Sequence, residues 1–289
     1  MILSTQTFYL SELFGDETAV RMLAEAGYDA LDYSMFRITE DSHILNSEGY
    51  KEYALNLKRT AEEAGVHFNQ AHAPFPSVRY GNDEYNADMF KKIVRSMEVA
   101  SILGAKIIIV HPFACPKEVD QKGENIAFYN RLLPYCKEYG IKVALENMWG
   151  YDERRGCIVP NVCSTGAELA EYVDELDSEW FVACLDVGHS GLIGEEASTA
   201  IRVLGKERLK ALHVHDNDYK RDCHVIPFVG KMNWEDITKA LADIGYEGDF
   251  TLEADSFLYG YDKEFISSAV KFMHDTGRYL ISRIESVKK

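Results

Sequence analysis

The sequence predicts a closed (β/α)8 barrel, one domain over residues 1–289. Three observations carry that expectation. Short β-branched runs alternate with longer stretches of helical periodicity. Eight such cycles follow at a spacing of roughly 30 to 40 residues, which suits a parallel sheet rolled shut and wrapped by helices. The turn after the first strand, "TFYLSELFGDE", has no G-x-G-x-x-G, so the doubly wound open sheet lacks its usual signature.

Taken in order, the first strand is "ILSTQTF" (2–8), and a helix over 17–26 ends at the glycine of "EAGYDA". "ALDYS" (30–34) is the second strand, and the helix over 48–64 ends at "EAGVHF". "HFNQAH" (67–72) leads to a helix over 85–103 that closes at "LGAKII". "KIIIVH" (106–111) leads to a helix over 124–139 that closes at "YGIKVA". "KVALEN" (142–147) precedes a helix over 166–176, which Ser164 and Thr165 open in cap position with an acid in the first turn. "FVACLD" (181–186) precedes a helix over 196–204. "LKALHVH" (209–215) is followed by a turn at Gly230, an N-cap at Asn233 and a helix over 234–244. "DFTLEA" (249–254) and a helix over about 263–285 complete the chain.

Composition sets limits. The chain is 46% hydrophobic and 27% charged, ordinary for a globular protein. No run of about 18 apolar residues is present, so no membrane span is expected. "MILSTQTFYL" lacks a basic segment followed by a long apolar stretch, and the six cysteines include no C-x-x-C pair. Both point to a cytoplasmic protein with reduced thiols. The formal charge of −16 disfavours nucleic acid as a partner, because phosphate contacts need clustered Lys and Arg.

Side chains alternate across a strand, and the outer face of a barrel strand must be apolar to meet the helices. In "LKALHVH" that rule sends Leu212 and Val214 outward and His213 and His215 inward. It sends Glu146 inward in "KVALEN", Asp186 in "FVACLD" and Glu253 in "DFTLEA". His111 shares the parity of Ile109, and His72 that of Gln70. Six strands thus carry an ionisable residue to the C-terminal rim, where barrel enzymes hold their active sites. One rim histidine alone is ordinary. Three carboxylates and several imidazoles at one mouth call for compensation, and a divalent cation supplies it. Mixed carboxylate and imidazole donors suit Mn, Co, Mg, Zn or Fe.

"HAPF" (72–75), "VHPF" (110–113), "LEN" (145–147), "DVGH" (186–189), "HVHDND" (213–218) and "LEAD" (252–255) stand in this order at successive strand ends. In them the chain resembles the xylose-isomerase-like TIM barrel superfamily, and looks like a sugar phosphate isomerase/epimerase of that group. The resemblance to its ketose 3-epimerases implies one metal held by Glu146, Asp186, His215 and Glu253. A histidine followed three residues later by an aspartate selects His215 with Asp218; His213 with Asp216 is the alternative register. It further implies that His189 and Arg221 contact substrate oxygens. Endonuclease IV is a second relative, with three zinc ions. The resemblance to it supplies His72, His111, Glu146, Asp186, His189, His213 or His215, Asp222, His224 and Glu253 as counterparts of its nine ligands. It also implies that the chain can assemble as a homo-oligomer, since relatives are often dimers or tetramers.

The function expected is a metal-dependent sugar or sugar phosphate isomerase/epimerase. Glu146 and Glu253 flank the substrate and move a proton through an enediolate, since inversion at carbon needs a base on each face. His72, His111, His189, Arg221 and Trp149 are the expected substrate contacts, Trp149 as an apolar wall. The lysine motif of hydride-shift isomerases is absent, which favours proton transfer. The alternatives are an endonuclease IV-like three-zinc phosphodiester hydrolase, a metal-dependent lyase or dehydratase, and a barrel that has lost activity.

Overall fold

The structure, a computed structural model, describes residues 1–287. Eight parallel strands form a nearly closed barrel with helices between them: β1 (Leu3–Gln6), β2 (Ala30–Ser34), β3 (His67–His72), β4 (Ile107–Ile109), β5 (Lys142–Glu146), β8 (Phe181–Asp186), β9 (Leu209–His213) and β10 (Phe250–Leu252). β6 (Trp149–Asp152) and β7 (Cys157–Pro160) make an antiparallel hairpin above β5. The seam between β9 and β10 is closed past the end of β9. There Val214 N–H donates to Thr251 O at 2.9 Å and Glu253 N–H donates to Val214 O at 3.0 Å.

The helices are α1 (Phe8–Phe14), α2 (Asp16–Ala26), α3 (Tyr50–Ala64), α4 (Asp83–Leu103), α5 (Gln121–Tyr139), α6 (Gly166–Asp174), α7 (Val187–Leu192), α8 (Ala197–Arg208), α9 (Trp234–Asp243) and α10 (Ile266–Val287). None of the described helices is long and apolar enough to cross a membrane. Four of the expected glycine caps, Gly27, Gly65, Gly104 and Gly140, are left-handed C-caps. α6 opens on a reciprocal cap: Thr165 Oγ1 accepts from Glu168 N–H, and Glu168 Oε2 accepts from Ser164 N–H. Asn233 caps α9 as expected.

Strand parity places the core. Ile109, Ala144, Val182, Cys184 and Ala211 form a small cluster inside the barrel. Val143, Leu145, Ala183, Leu185, Leu212, Val214, Phe250 and Leu252 join the large layer between barrel and helices. The alternation fails low in β3. Leu31 pairs with Phe68 and Asp32 with Gln70, so Asn69 is an extra residue. That bulge lets Phe68 and Ala71 both face the helices while Gln70 and His72 face inward. Asn69 Oδ1 accepts from Ser4 Oγ at 2.8 Å, and its Nδ2 donates to Asp249 at 2.7 Å. The floor of the barrel is therefore polar, the middle apolar and the mouth ionisable.

Candidate active site

β5, β8 and β10 end in Glu146, Asp186 and Leu252, and Glu253 follows directly, so three carboxylates reach one rim. Asn147 fastens the first two strand ends together. Its Oδ1 accepts from Asp186 N–H at 2.7 Å, and its Nδ2 donates to Asp186 O at 2.9 Å. Asp186 also caps α7 by accepting from His189 N–H at 2.7 Å. The short helix turns the imidazole of His189 back over the mouth.

The imidazoles are aimed by their far nitrogens. Nδ1 of His72, His189 and His224 lies 2.7, 2.8 and 2.9 Å from the carbonyls of Ala73, Asn147 and Glu253. A carbonyl only accepts, so each Nδ1 donates and each Nε2 is left to face the cavity. His72 Nε2 and His111 Nε2 are 3.0 Å apart, and Glu146 Oε2 lies 3.1 Å from the latter. His224 Nε2 lies 3.2 Å and His189 Nε2 3.4 Å from Asp222. Trp149 Nε1 donates to the same Asp222 at 3.0 Å.

Donor atoms gather in three sets, the first two sharing Glu146 and His213: His72, Glu146 and His213; Glu146, Asp186, His213 and Glu253; and His189, His215, Asp222 and His224. The two candidate histidines of β9 and its extension part company here. His213 Nδ1 sits 3.2 Å from Glu146 and 3.0 Å from Glu253. His215 Nε2 sits 2.9 Å from Asp186 and 3.8 Å from Asp222, and its ring stacks on His224 at 3.9 Å. Both ring nitrogens of His213, Nδ1 of His215 and Oδ1 of Asp222 are buried without a well-aligned hydrogen bond. Orphaned donors of this chemistry fit a cation.

Electrostatics agree with the geometry. Burial pushes Glu146 up, but His213 and His111 outweigh it and hold the carboxyl well below its usual range. Glu253 is likewise brought down to about 2, against burial, by His213 and His224. Burial would lower His189 and His224, yet the surrounding carboxylates raise each to about 10. Burial lowers His111, and there it prevails. Imidazoles carrying protons cannot bind a cation, so binding at His189 and His224 must release protons below about pH 10. For a cation seated in the outer set of His189, His215, Asp222 and His224, we expect affinity to rise with pH by about tenfold per unit for each proton released. Calorimetry in buffers of different ionisation enthalpy measures that release, and an affinity flat from pH 6 to 9 contradicts it.

Arg221 does not join the site. Its side chain is 79% exposed and pairs with Asp218 at 2.8 Å, and it does not line the cavity. Asp216, in the same histidine-rich stretch, is structural. It accepts from the backbone N–H of Asn217, Phe228 and Met232 and from Trp234 Nε1. Gly230 is needed there for space, because a Cβ would overlap the Asp216 carboxylate; its φ is not positive. Asp216→Ala should destabilise the protein by on the order of 3–5 kcal/mol, read by denaturant unfolding. A loss under about 1 kcal/mol would show the loop holds without it.

Three residues escaped the sequence reading. Asp32 faces inward from β2, accepts from Gln70 Nε2 at 2.7 Å and lies 3.5 Å from His213 Nε2. Alternation in "ALDYS", with Leu31 and Tyr33 outward, was the available signal. Gln6 and Asp255 line the cavity, a space of ≈ 380 Å³ that also takes in His72, His111, Glu146, Trp149, His189 and Glu253.

A family model described as a xylose isomerase-like TIM barrel matches residues 20–274. The chain belongs to that family. Among xylose isomerase-like relatives, a D-psicose 3-epimerase of Ruminiclostridium cellulolyticum is 22% identical over 246 residues, 81% of this chain and 76% of that one. A fructoselysine 3-epimerase of Escherichia coli O157:H7 is 22% identical over 244 residues, 82% and 84% of the two chains. The structure of a D-tagatose 3-epimerase-like protein superimposes with a TM-score of 0.75 at 20% identity, covering 98% of this chain and 100% of that one. Such distant structural likeness bears on the xylose isomerase-like fold alone.

Proposed function

We propose that the protein is a metal-dependent sugar epimerase or isomerase in which Glu146 and Glu253 exchange a proton with the substrate. The observation that carries this is the convergence of both carboxylates on one donor set at the floor of one cavity. The sugar 3-epimerases among its relatives support the substrate class and the reaction.

Glu146, Asp186 and Glu253 would hold the cation, with His213, which shares their donor set, or with His215, whose Nε2 lies 2.9 Å from Asp186. When bound, a divalent cation (Mn, Co, Mg or Zn) polarises a carbonyl and acidifies the neighbouring C–H. One glutamate takes the proton from that carbon and the other returns one to the opposite face. Both rest ionised in the folded protein, because the neighbouring imidazoles outweigh burial, so the glutamate that returns a proton must first receive one; His213 Nδ1, 3.2 Å from Glu146 and 3.0 Å from Glu253, stands within reach to supply it. His189 Nε2 faces the cavity and binds a substrate hydroxyl. Trp149, fixed by its bond to Asp222, forms a wall beside the sugar. Small carbohydrates are the partners of this reading.

The test is deuterium exchange. A ketose incubated with metal-loaded protein in D₂O should gain deuterium at the carbon beside its carbonyl and yield the epimer or isomer. No exchange with any of a broad ketose panel would sink the proposal.

A second reading rests on the outer donors. His72 with His111, and His189 with Asp222 and His224, make room for more than one ion. A multinuclear phosphodiester hydrolase would show about three zinc ions per chain and cut abasic-site duplex. Among the described residues no Lys or Arg lines the cavity, and the net charge is −16. Both weigh against a DNA substrate.

A further inference from the structure

We propose that Gln6 and Asp255 are specificity-determining residues that bind a substrate hydroxyl at the corner of the cavity between β1 and β10. The inference rests on the epimerase reading above and adds which part of the sugar is recognised.

Gln6 ends β1. It is 8% exposed, lines the cavity, and its amide makes no hydrogen bond among the described residues. It pairs with Asp32 on one side and stands one step past Thr5, the partner of Leu252, on the other. Gln6 therefore stands level with Glu253, which is one step past Leu252. An amide that opens into the cavity with no protein partner is free to meet a ligand group there. Asp255 is 4% exposed and lines the same corner. Its Oδ2 accepts from Tyr9 N–H at 2.9 Å, while Oδ1 has no protein donor among the described residues. An amide offers donor and acceptor and a carboxylate offers acceptors, which together match a hydroxyl group.

The rest of the corner excludes a phosphate. Phe8, Phe36 and Phe75 form a continuous wall, with ring centroids 5.0 and 4.9 Å apart along the row. Aromatic faces pack on the C–H face of a sugar ring or chain. Among the described residues no Lys or Arg lines the cavity; Arg221 is bound to Asp218 and Arg155 to Asp152. A phosphate dianion here would lie against Asp255 and phenyl rings, with no Lys or Arg among the described residues beside it. The sugar end that enters this corner therefore carries a free hydroxyl.

The experiment compares free ketoses with their terminal phosphate esters on manganese-loaded protein. Deuterium exchange gives kcat and KM, and titration calorimetry gives binding. The free sugar should be preferred by at least about tenfold in kcat/KM. Gln6→Leu keeps the volume and removes the amide. It should raise KM and weaken calorimetric binding by about tenfold, with kcat within about threefold and an unchanged melting temperature. Asp255→Asn, which still accepts from Tyr9, should raise KM in the same direction, and it serves as the second variant should Gln6→Leu fold poorly. A preference for the phosphate ester, or unaltered KM and binding in both variants, overturns this inference and leaves the epimerase reading standing. Exchange into no sugar of either kind overturns both.

Discussion

Glu253→Gln lowers turnover by about 10²–10⁴-fold while the barrel stays folded, the range removed with a positioned general base. Glutamine keeps the shape of the side chain and one oxygen that can face a cation. It cannot take a proton at neutral pH. Glu253 lies 3.0 Å from His213, and the loss of its charge leaves that imidazole with Glu146 and Asp32 still beside it. Folding therefore survives. Glu146→Gln is the harsher change, because Glu146 belongs to two of the three donor sets and also meets His111 at 3.1 Å. It should lose the bound cation along with the base. Metal content by mass spectrometry separates the two roles. Glu253→Gln that keeps its metal and loses exchange marks a base, and Glu253→Gln that loses both marks chiefly a ligand. Near-normal exchange in both single variants would end the two-glutamate scheme.

How much of this lay open in the sequence follows from the physics of each element. Strand faces have a period of two, and helices must cover the outer one, so Glu146, Asp186 and Glu253 could be placed inward from the pattern alone. His213 and His215 share that parity, and parity cannot rank them. What separates them is register: Asp186 pairs with His213, which sets His213 deep among the glutamates and His215 higher beside Asp222. The family resemblance favours His215, and both lie within the site. α7 was hidden because "VGHSGL" carries two glycines and no apolar period. Its cap, Asp186, reads as a ligand before it reads as a helix signal. The β6–β7 hairpin was missed because both its faces are largely open to solvent, so no alternation of burial had to be written into it. Gln6 carries no charge and no metal chemistry, and only its burial beside an empty corner distinguishes it. Arg221 was placed by its offset from His215, but a nearby carboxylate, Asp218, turns it to the surface.

Gly188→Ala should cost about 1–3 kcal/mol of stability and, with it, about 10–100-fold in metal affinity, though glycine coordinates nothing. A Cβ on Gly188 would overlap the His215 ring at Cε1, Nε2 and Nδ1 together. The ring has no room to yield. It is fully buried, its Nε2 is held by Asp186 at 2.9 Å, and its other face is stacked on His224 with an interplanar angle of 12°. The backbone is pinned as well, since Gly188 O accepts from Asn217 Nδ2 at 2.8 Å. The strain must therefore go into α7, whose N-cap is Asp186 and whose first turn carries His189. A shift of that helix moves a carboxylate and an imidazole of the site at once. Gly49→Ala is the control, because its new Cβ would meet only Ser47 Oγ at 3.6 Å. Thermal melting with and without added manganese reads both effects. In wild type the metal should raise the melting temperature, and in Gly188→Ala most of that rise should vanish. A variant that melts and binds manganese like wild type would mean that His215 is not seated as described. The glycine of "DVGH" is thus as much a condition of the site as the aspartate and histidine around it, for reasons of space alone.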